Sequence, residues 1–269
     1  MDMVKAVLLG IVQGLTEFLP VSSSGHLVIG SEILDFHEPG ILFEVFLHGG
    51  TLLAVLFAFR EELLAMVRAV FSSSEARRQD PELQRAFLWN LYVVVATLPA
   101  VFVGLFLKDS IERIFDNILV TFIMLAITGC LMVLTRFIRE RGQAVNCPRA
   151  LLIGVAQSMA ILPGLSRSGS TIFTGMLLGI NRETAARFSF IMSIPAILGA
   201  IVLQGKDLLD RSLADGELTN ILVGTLASAV SGYLAIVLLM HIVRRGQLHW
   251  FGYYCFLVSA IGFSWYFFR

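Results

Sequence analysis

Charged residues are scarce in this chain of 269 residues, of which only 15% are Asp, Glu, Lys or Arg. The 20 basic and 20 acidic side chains give a net charge of zero, so the basic surface that nucleic-acid binding requires is missing. Hydrophobic residues make up 57% of the chain. This balance predicts an integral membrane protein that lies in the lipid bilayer and has no nucleic-acid partner.

Cysteine is also rare. The three cysteines, Cys130, Cys147 and Cys255, lie far apart, and two of them fall in apolar stretches. This spacing excludes a disulfide framework and a zinc site of clustered thiolates. We expect the cysteines to be packing residues.

Six apolar stretches are long enough to cross about 30 Å of hydrocarbon as helices of roughly 20 residues. They cover residues 41–59, 86–107, 117–138, 184–204, 220–243 and 250–268. Two further apolar regions, 3–34 and 150–180, are each interrupted midway by a polar segment, and their halves are too short to span. Such a pattern predicts a re-entrant helix-turn-helix, because non-helical backbone at membrane depth must be buried in protein or line a wet cavity.

The two interrupted regions repeat each other. A shift of 144 residues places Gly10 on Gly154 and Gln13 on Gln157, and the serines that follow also align. Three complete spans lie between the copies, an odd number, so the two halves are expected to have opposite orientations. The predicted fold is therefore an all-α integral membrane protein, with six transmembrane helices and two re-entrant segments arranged as inverted repeats. It forms a single membrane domain over 1–269, with repeats at approximately 1–140 and 150–269.

The arginines are distributed unevenly among the loops. With both interrupted regions treated as re-entrant, thirteen arginines fall at one face of the membrane, mainly in 60–85 and 136–149, against six basic residues at the other face. The positive-inside rule makes the arginine-rich face cytoplasmic. In a bacterium, both termini are then expected in the periplasm.

The polar residues at membrane depth are concentrated in two segments. The first runs from Gln13 to His26 and the second from Gln157 to Thr171. Groups such as a carboxylate and a guanidinium are costly to bury in lipid unless they find partners or water, so both segments are predicted functional sites. The copies differ at the positions where chemistry is expected, with Ile161 in the place of Glu17, Arg167 in the place of Ser23 and Ser170 in the place of His26.

A run of serine and glycine precedes the second helix of each segment. The runs consist of Ser22, Ser23, Ser24 and Gly25, and of Ser166, Arg167, Ser168 and Gly169. Backbone N–H groups at such helix starts can converge on an anion, and phosphate is the natural ligand. Arg167 strengthens this prediction because its planar guanidinium binds two phosphate oxygens and stays charged in a poorly hydrated site. The structural alternative makes the serines helix caps and Arg167 a partner of Glu17.

Several side chains are candidates for the chemistry. Gln13 and Glu17 are one helical turn apart, and their oxygens suit a divalent cation such as Mg2+ or Ca2+. The structural alternative is that they form a polar stripe between packed helices. His26 is placed to transfer protons, and Ser23 is the candidate nucleophile, although His26 or a metal-bound water could serve instead. Other polar residues carry less weight. Glu44 and His48 are one helical turn apart, and for them we expect helix packing or support of the site residues rather than direct catalysis.

These motifs resemble those of the bacitracin-resistance type of undecaprenyl-diphosphate phosphatase. The first is Gln-x-x-x-Glu followed by Phe-Leu-Pro-Val-Ser-Ser-Ser-Gly-His, and the second is Pro-Gly-Leu-Ser-Arg-Ser-Gly-Ser-Thr, ending at Thr171. The resemblance spans essentially the whole chain. It implies a bacterial inner-membrane enzyme that uses a divalent cation to remove the terminal phosphate of a C55 polyprenyl diphosphate carrier. The carrier then returns to cell-wall synthesis.

The resemblance also implies roles for individual residues. Catalysis is carried over to Glu17, Ser23, His26 and Arg167, and phosphate binding to Ser166, Arg167 and Thr171. Gln13 matches the acidic motif together with Glu17, but many members of the family have a second glutamate at this position. A mechanism that needs two carboxylates there would not transfer to this chain.

Two rival functions remain open. A transporter or flippase of an anionic polyprenyl lipid would also use inverted repeats and broken helices, but needs no histidine beside a serine. An intramembrane serine hydrolase would use Ser23 and His26, but has no use for Arg167. The sequence does not specify the oligomeric state.

Overall fold

The structure, a computed structural model, describes residues 3–33, 41–106, 118–205 and 217–268, and these residues contain helices but no strands. We number the twelve α-helices in chain order. They are α1 Met3–Phe18, α2 Ser23–Ile33, α3 Ile41–Ala58, α4 Arg60–Phe71, α5 Ser74–Gln79, α6 Pro81–Phe106, α7 Ile118–Leu134, α8 Cys147–Met159, α9 Arg167–Leu177, α10 Arg182–Gly205, α11 Glu217–Arg244 and α12 His249–Phe268. A short 3-10 helix, Thr135–Phe137, follows α7.

Helix starts follow the capping chemistry of the sequence. The Asn146 side chain accepts a hydrogen bond from the Arg149 N–H at 3.1 Å and caps α8, which has a proline in its first turn. Asp80 likewise accepts from two N–H groups at the start of α6. Gly179, with a φ of +85°, lies directly after α9 in the left-handed conformation that favours glycine.

Five helices in the described residues are long and apolar enough to cross a membrane. They are Pro81–Phe106, Ile118–Phe137, Arg182–Val202, Leu218–Arg244 and His249–Phe268. Between 17% and 50% of each apolar stretch is buried, and large apolar side chains cover the exposed surface, as a lipid environment requires. The protein is thus an all-α, multi-pass membrane protein. The first predicted span, 41–59, contains the shorter apolar helix Phe43–Ala58, so the count of six spans stays a prediction.

Both interrupted regions fold as a helix, a short turn and a second helix. The turns lie at 19–22 and 160–166. Helices α2 and α9 begin and end 144 residues apart, in the register of the sequence repeat. Two of the predicted spans, 86–107 and 117–138, each have one end residue outside the described residues, 107 and 117 respectively.

The helices of the two halves pack across one another. Helix α1 packs mainly against α11, and its counterpart α8 packs mainly against α6. Helices α3 and α10 contact each other, as do α7 and α12. Neither half buries its re-entrant helix by itself, and the tips of both segments are held inside the molecule. The opposite orientation of the halves remains a prediction.

The packing role predicted for the cysteines holds for Cys255. This side chain is fully buried, whereas Cys130 and Cys147 are exposed. Cys130 is exposed because α7 has a lipid-facing side as well as a core side, and the sequence does not distinguish the two. Cys147 is exposed because it begins α8, next to the loop that precedes it.

Candidate active site

The tips of the two re-entrant segments touch. The Ser168 hydroxyl donates to the Leu19 carbonyl at 3.3 Å, and a Cβ on Gly169 would lie 3.3 Å from the Pro20 Cβ. The turn after α1 and the start of α9 therefore form one continuous structure, although some 150 residues separate them.

Glu17 is the polar centre of this junction. The residue is only 6% exposed, and its carboxylate oxygen Oε1 forms an ion pair with the Arg167 guanidinium. The second oxygen, Oε2, accepts hydrogen bonds from Gln13 Nε2 at 2.7 Å and from Ser23 Oγ at 2.8 Å. Three helices thus contribute donors to one carboxylate, which offsets the cost of burying its charge.

The two serine runs cap their helices in the same way. The Ser22 hydroxyl accepts from the Gly25 N–H at 3.3 Å, and the Ser166 hydroxyl accepts from the Gly169 N–H at 3.1 Å. The backbones differ, however, because Ser22 has a φ of +69°, a left-handed conformation that is unusual outside glycine. Such outliers cluster at functional sites, since surrounding structure must hold them in place.

A cavity of roughly 200 Å³ opens beside the Glu17–Arg167 pair. The predicted site residues in its wall are Glu17, Ser22, Ser23, Ser24, Ser166 and Arg167, and the rest of the wall includes Thr16, His48, Ile161 and Ile197. The Arg167 side chain is 20% exposed, against 4% for Glu17. The Arg167 guanidinium is therefore the more accessible partner of the ion pair for a ligand in the cavity.

His48 approaches this cavity from α3 and lies beside the Glu17 carboxylate, so it does more than pack helices together. Its Nδ1 lies 2.8 Å from the Glu44 carbonyl oxygen, and its Nε2 lies 3.9 Å from Glu17 Oε2. The side chain is 29% exposed. No sequence motif points to this contact, because α3 is separated from the Glu17 turn by the whole of α2.

His26 occupies a different position from the one predicted. Its Nδ1 lies 2.8 Å from the Ser22 carbonyl oxygen and its Nε2 lies 2.7 Å from the Tyr254 hydroxyl. The two rings are stacked, with 5.6 Å between centroids and 9° between planes. The cavity wall does not include His26. Its predicted catalytic role stays a prediction, and in this structure both ring nitrogens already have partners.

The comparisons with known proteins place the chain in a family. Residues 6–261 match the family described as "Bacitracin resistance protein BacA". The chain belongs to the BacA family. Among its relatives is a protein named "Undecaprenyl-diphosphatase" from Methanobrevibacter smithii, which is 41% identical over 98% of this chain and 97% of its own length. Proteins with the same name from Desulfosudis oleivorans and Halothermothrix orenii are 42% and 38% identical over 97% of both chains.

Not every residue of the BacA-type motifs reaches the cavity. Thr171 is fully buried, and its hydroxyl lies 2.8 Å from the Arg167 carbonyl oxygen and 2.6 Å from Ser189 Oγ, so it ties α9 to α10. Ser168 contacts the opposite tip, and Gly25 and Gly169 are buried where the tips meet. Phosphate contact by these four residues remains a prediction, and in this structure they position the loops.

This BacA-family chain also has a larger cleft, of roughly 930 Å³, between α4, α6 and α10. Its charged side chains neutralise one another, since Arg187 pairs with Glu62 and Glu183, and Arg244 pairs with Glu183. None of the predicted catalytic residues lines it. The smaller cavity is thus the candidate active site, because it combines a buried carboxylate, an accessible guanidinium and two helix starts.

Proposed function

We propose that this protein hydrolyses the terminal phosphate of undecaprenyl diphosphate, giving undecaprenyl phosphate and orthophosphate. The single observation that carries the proposal is the cavity at the junction of the two tips, where Arg167 is accessible beside the buried Glu17. The BacA-family match and the name shared by the relatives support the same reaction. Release of the monophosphate recycles the carrier for cell-wall synthesis and gives resistance to bacitracin.

The cavity supplies the groups that a diphosphate needs. Arg167 offers several N–H donors in a planar arrangement that suits phosphate oxygens. It begins α9, while the serines at 22–24 lie at the start of α2, so the positive ends of two helix dipoles lie in the cavity wall. About 200 Å³ accommodates a diphosphate headgroup and leaves the prenyl tail outside, among the apolar helices.

Two oxygen nucleophiles fit this reaction. Ser23 Oγ lies 2.8 Å from Glu17 Oε2, a distance at which its proton can pass to the carboxylate. A water molecule in the cavity could attack the terminal phosphorus directly. In either case Arg167 offsets the charge that develops on the phosphoryl oxygens.

A divalent cation, Mg2+ or Ca2+, is part of the proposal. Gln13 Oε1 is buried without a hydrogen-bond partner, and it is on the same side chain that contacts the Glu17 carboxylate. This pair of side chains offers oxygens of the type that both ions prefer. The described residues contain no cluster of three or more His, Cys, Asp or Glu side chains, so substrate oxygens and water would complete the coordination shell. The cation would neutralise diphosphate charge that Arg167 cannot balance by itself.

We further propose that the protein lies in the bacterial inner membrane with both termini in the periplasm. The excess of arginine in the loops at 60–85 and 136–149 supports this orientation.

Orthophosphate release from a prenyl diphosphate by purified protein in detergent tests the function. We expect release that depends on Mg2+ or Ca2+ and is abolished in Arg167→Ala and in Glu17→Ala. The matched control is Arg149→Ala, because the Arg149 guanidinium lies outside the cavity wall and donates to Ala144 and Gln143 of the preceding loop. Size-exclusion profiles verify that each variant folds. Absence of release by the wild-type protein with cation present would favour transport of the lipid, and full activity of both variants would exclude this cavity.

A further inference from the structure

The His48 ring has a defined orientation at the cavity. Its Nδ1 lies 2.8 Å from the Glu44 carbonyl, and since a carbonyl oxygen can only accept, Nδ1 carries the hydrogen. In the neutral ring Nε2 is then a bare acceptor. It faces the cavity and Glu17 Oε2, which is an acceptor as well.

The gap between these two acceptors is informative. At 3.9 Å, Nε2 and Oε2 are too far apart for a direct hydrogen bond, and neutral His48 has no proton to place between them. A water molecule can lie about 2.8 Å from each and donate one hydrogen to each. A water in this position would bridge the two side chains, next to Ser23 and Arg167.

Glu17 is poorly suited to deprotonate that water by itself. Arg167 occupies its Oε1, while Gln13 and Ser23 both donate to its Oε2. Both carboxylate oxygens are therefore already engaged by protein donors. The lone pair of His48 Nε2 has no such competitor among the hydrogen bonds of the described residues.

His26 cannot take this role in the conformation observed. Its Nδ1 is engaged with the Ser22 carbonyl and its Nε2 with the Tyr254 hydroxyl, and it is absent from the cavity wall. His48 is the imidazole of the described chain that lines the cavity.

We propose that His48 is a catalytic residue of this site, and that the nucleophile is a water held between His48 Nε2 and Glu17 Oε2. The inference rests on the proposed function. As the water oxygen bonds to the terminal phosphorus, the bond from that phosphorus to the bridging oxygen breaks. The bridging oxygen leaves with the electron pair as part of the prenyl monophosphate. One proton of the water passes to His48 Nε2 and is then released with the orthophosphate. Ser23 holds the Glu17 carboxylate and is not phosphorylated.

Steady-state kinetics of His48 variants tests this assignment. His48→Gln is expected to lower kcat about 100-fold, within the usual contribution of a general base, and to change KM less than about threefold. The matched control is His241→Gln, an identical substitution at an exposed position near the end of α11, with kcat expected at the wild-type value.

Chemical rescue distinguishes proton transfer from packing. In His48→Ala, added imidazole is expected to raise kcat at least tenfold over its value without imidazole, because the cavity is open beside this side chain. If His48→Ala does not fold, His48→Gln is assayed for a phosphorylated serine by acid quench and mass spectrometry, and none is expected. Wild-type kcat in His48→Gln, lack of rescue in a folded His48→Ala, or phosphorylated Ser23 would each overturn the inference while leaving the phosphatase function intact. Absence of hydrolysis by the wild-type protein would instead overturn the function.

Discussion

Two glutamines that occupy equivalent places in the repeats differ in their partners. Gln13 Nε2 donates to Glu17, four residues further along α1. Gln157 is only 3% exposed, and neither its Nε2 nor its Oε1 has a hydrogen-bond partner. The residue four positions after it is Ile161, which stands where the first repeat has Glu17. The lost carboxylate thus explains why Gln157 Nε2 has no acceptor, whereas the amide oxygen lacks a partner in both repeats.

Gln157→Met is therefore expected to stabilise the protein. An unsatisfied buried amide costs about 1–3 kcal/mol, and methionine fills a similar volume without polar atoms. We expect a higher melting temperature in detergent and unchanged turnover, because Gln157 does not line the cavity. Gln13→Met is the matched comparison and should lower both stability and turnover, since it removes a donor to Glu17. A lower melting temperature for Gln157→Met would mean that its amide has a partner that the structure does not show.

The re-entrant helices depend on two glycines at equivalent positions. A Cβ on Gly10 of α1 would overlap the Gly224 carbonyl of α11, and a Cβ on Gly154 of α8 would overlap the Ala96 carbonyl of α6. Each re-entrant helix therefore packs directly against the backbone of a spanning helix from the other half. Such close approach is typical of helix pairs in membranes, where small residues let backbones meet.

Replacing either glycine by alanine should separate these helix pairs. We expect Gly10→Ala and Gly154→Ala to destabilise the protein by about 1–3 kcal/mol, the usual cost of overpacking. Gly199→Ala is the control, because it lies inside α10 with nothing within 4 Å of the added Cβ. This control should gain up to about 1 kcal/mol from helix propensity. Thermal unfolding in one detergent measures all three, and equal effects at the three positions would contradict the close approach.

The sequence located both helix-turn-helix segments, whereas it located the site only in part. Polar interruptions in apolar stretches located both turns, and the repeat located α2 and α9 in register. The ion pair between Glu17 and Arg167 is the contact that the structural alternative predicted, since an unpaired carboxylate in lipid is costly. The sequence did not indicate that His48 lines the cavity or that His26 contacts Tyr254. Helix–helix packing decides which face of α3 meets α1 and which way the ring after the Ser22 turn points. The sequence by itself specifies neither the face of α3 that packs against α1 nor the direction of the His26 ring.

The orientation of the whole molecule in the membrane can be tested with a native side chain. Cys147 is exposed at the start of α8, next to the loop predicted to be cytoplasmic, whereas Cys255 is buried. Cys130 is exposed on the membrane-spanning α7, where lipid disfavours the thiolate that reacts. A membrane-impermeant maleimide should thus report on Cys147 alone.

We expect this reagent to label Cys147 in inside-out vesicles and not in intact spheroplasts. The converse probe is Phe268→Cys in a Cys147→Ser background, because Phe268 is 91% exposed at the end of α12, on the face predicted to be periplasmic. It should be labelled in spheroplasts. Both sites should react after detergent solubilisation, which verifies that the thiols are reactive. Labelling of Cys147 in spheroplasts would reverse the topology and place the arginine-rich loops outside, against the charge asymmetry that orients most membrane proteins.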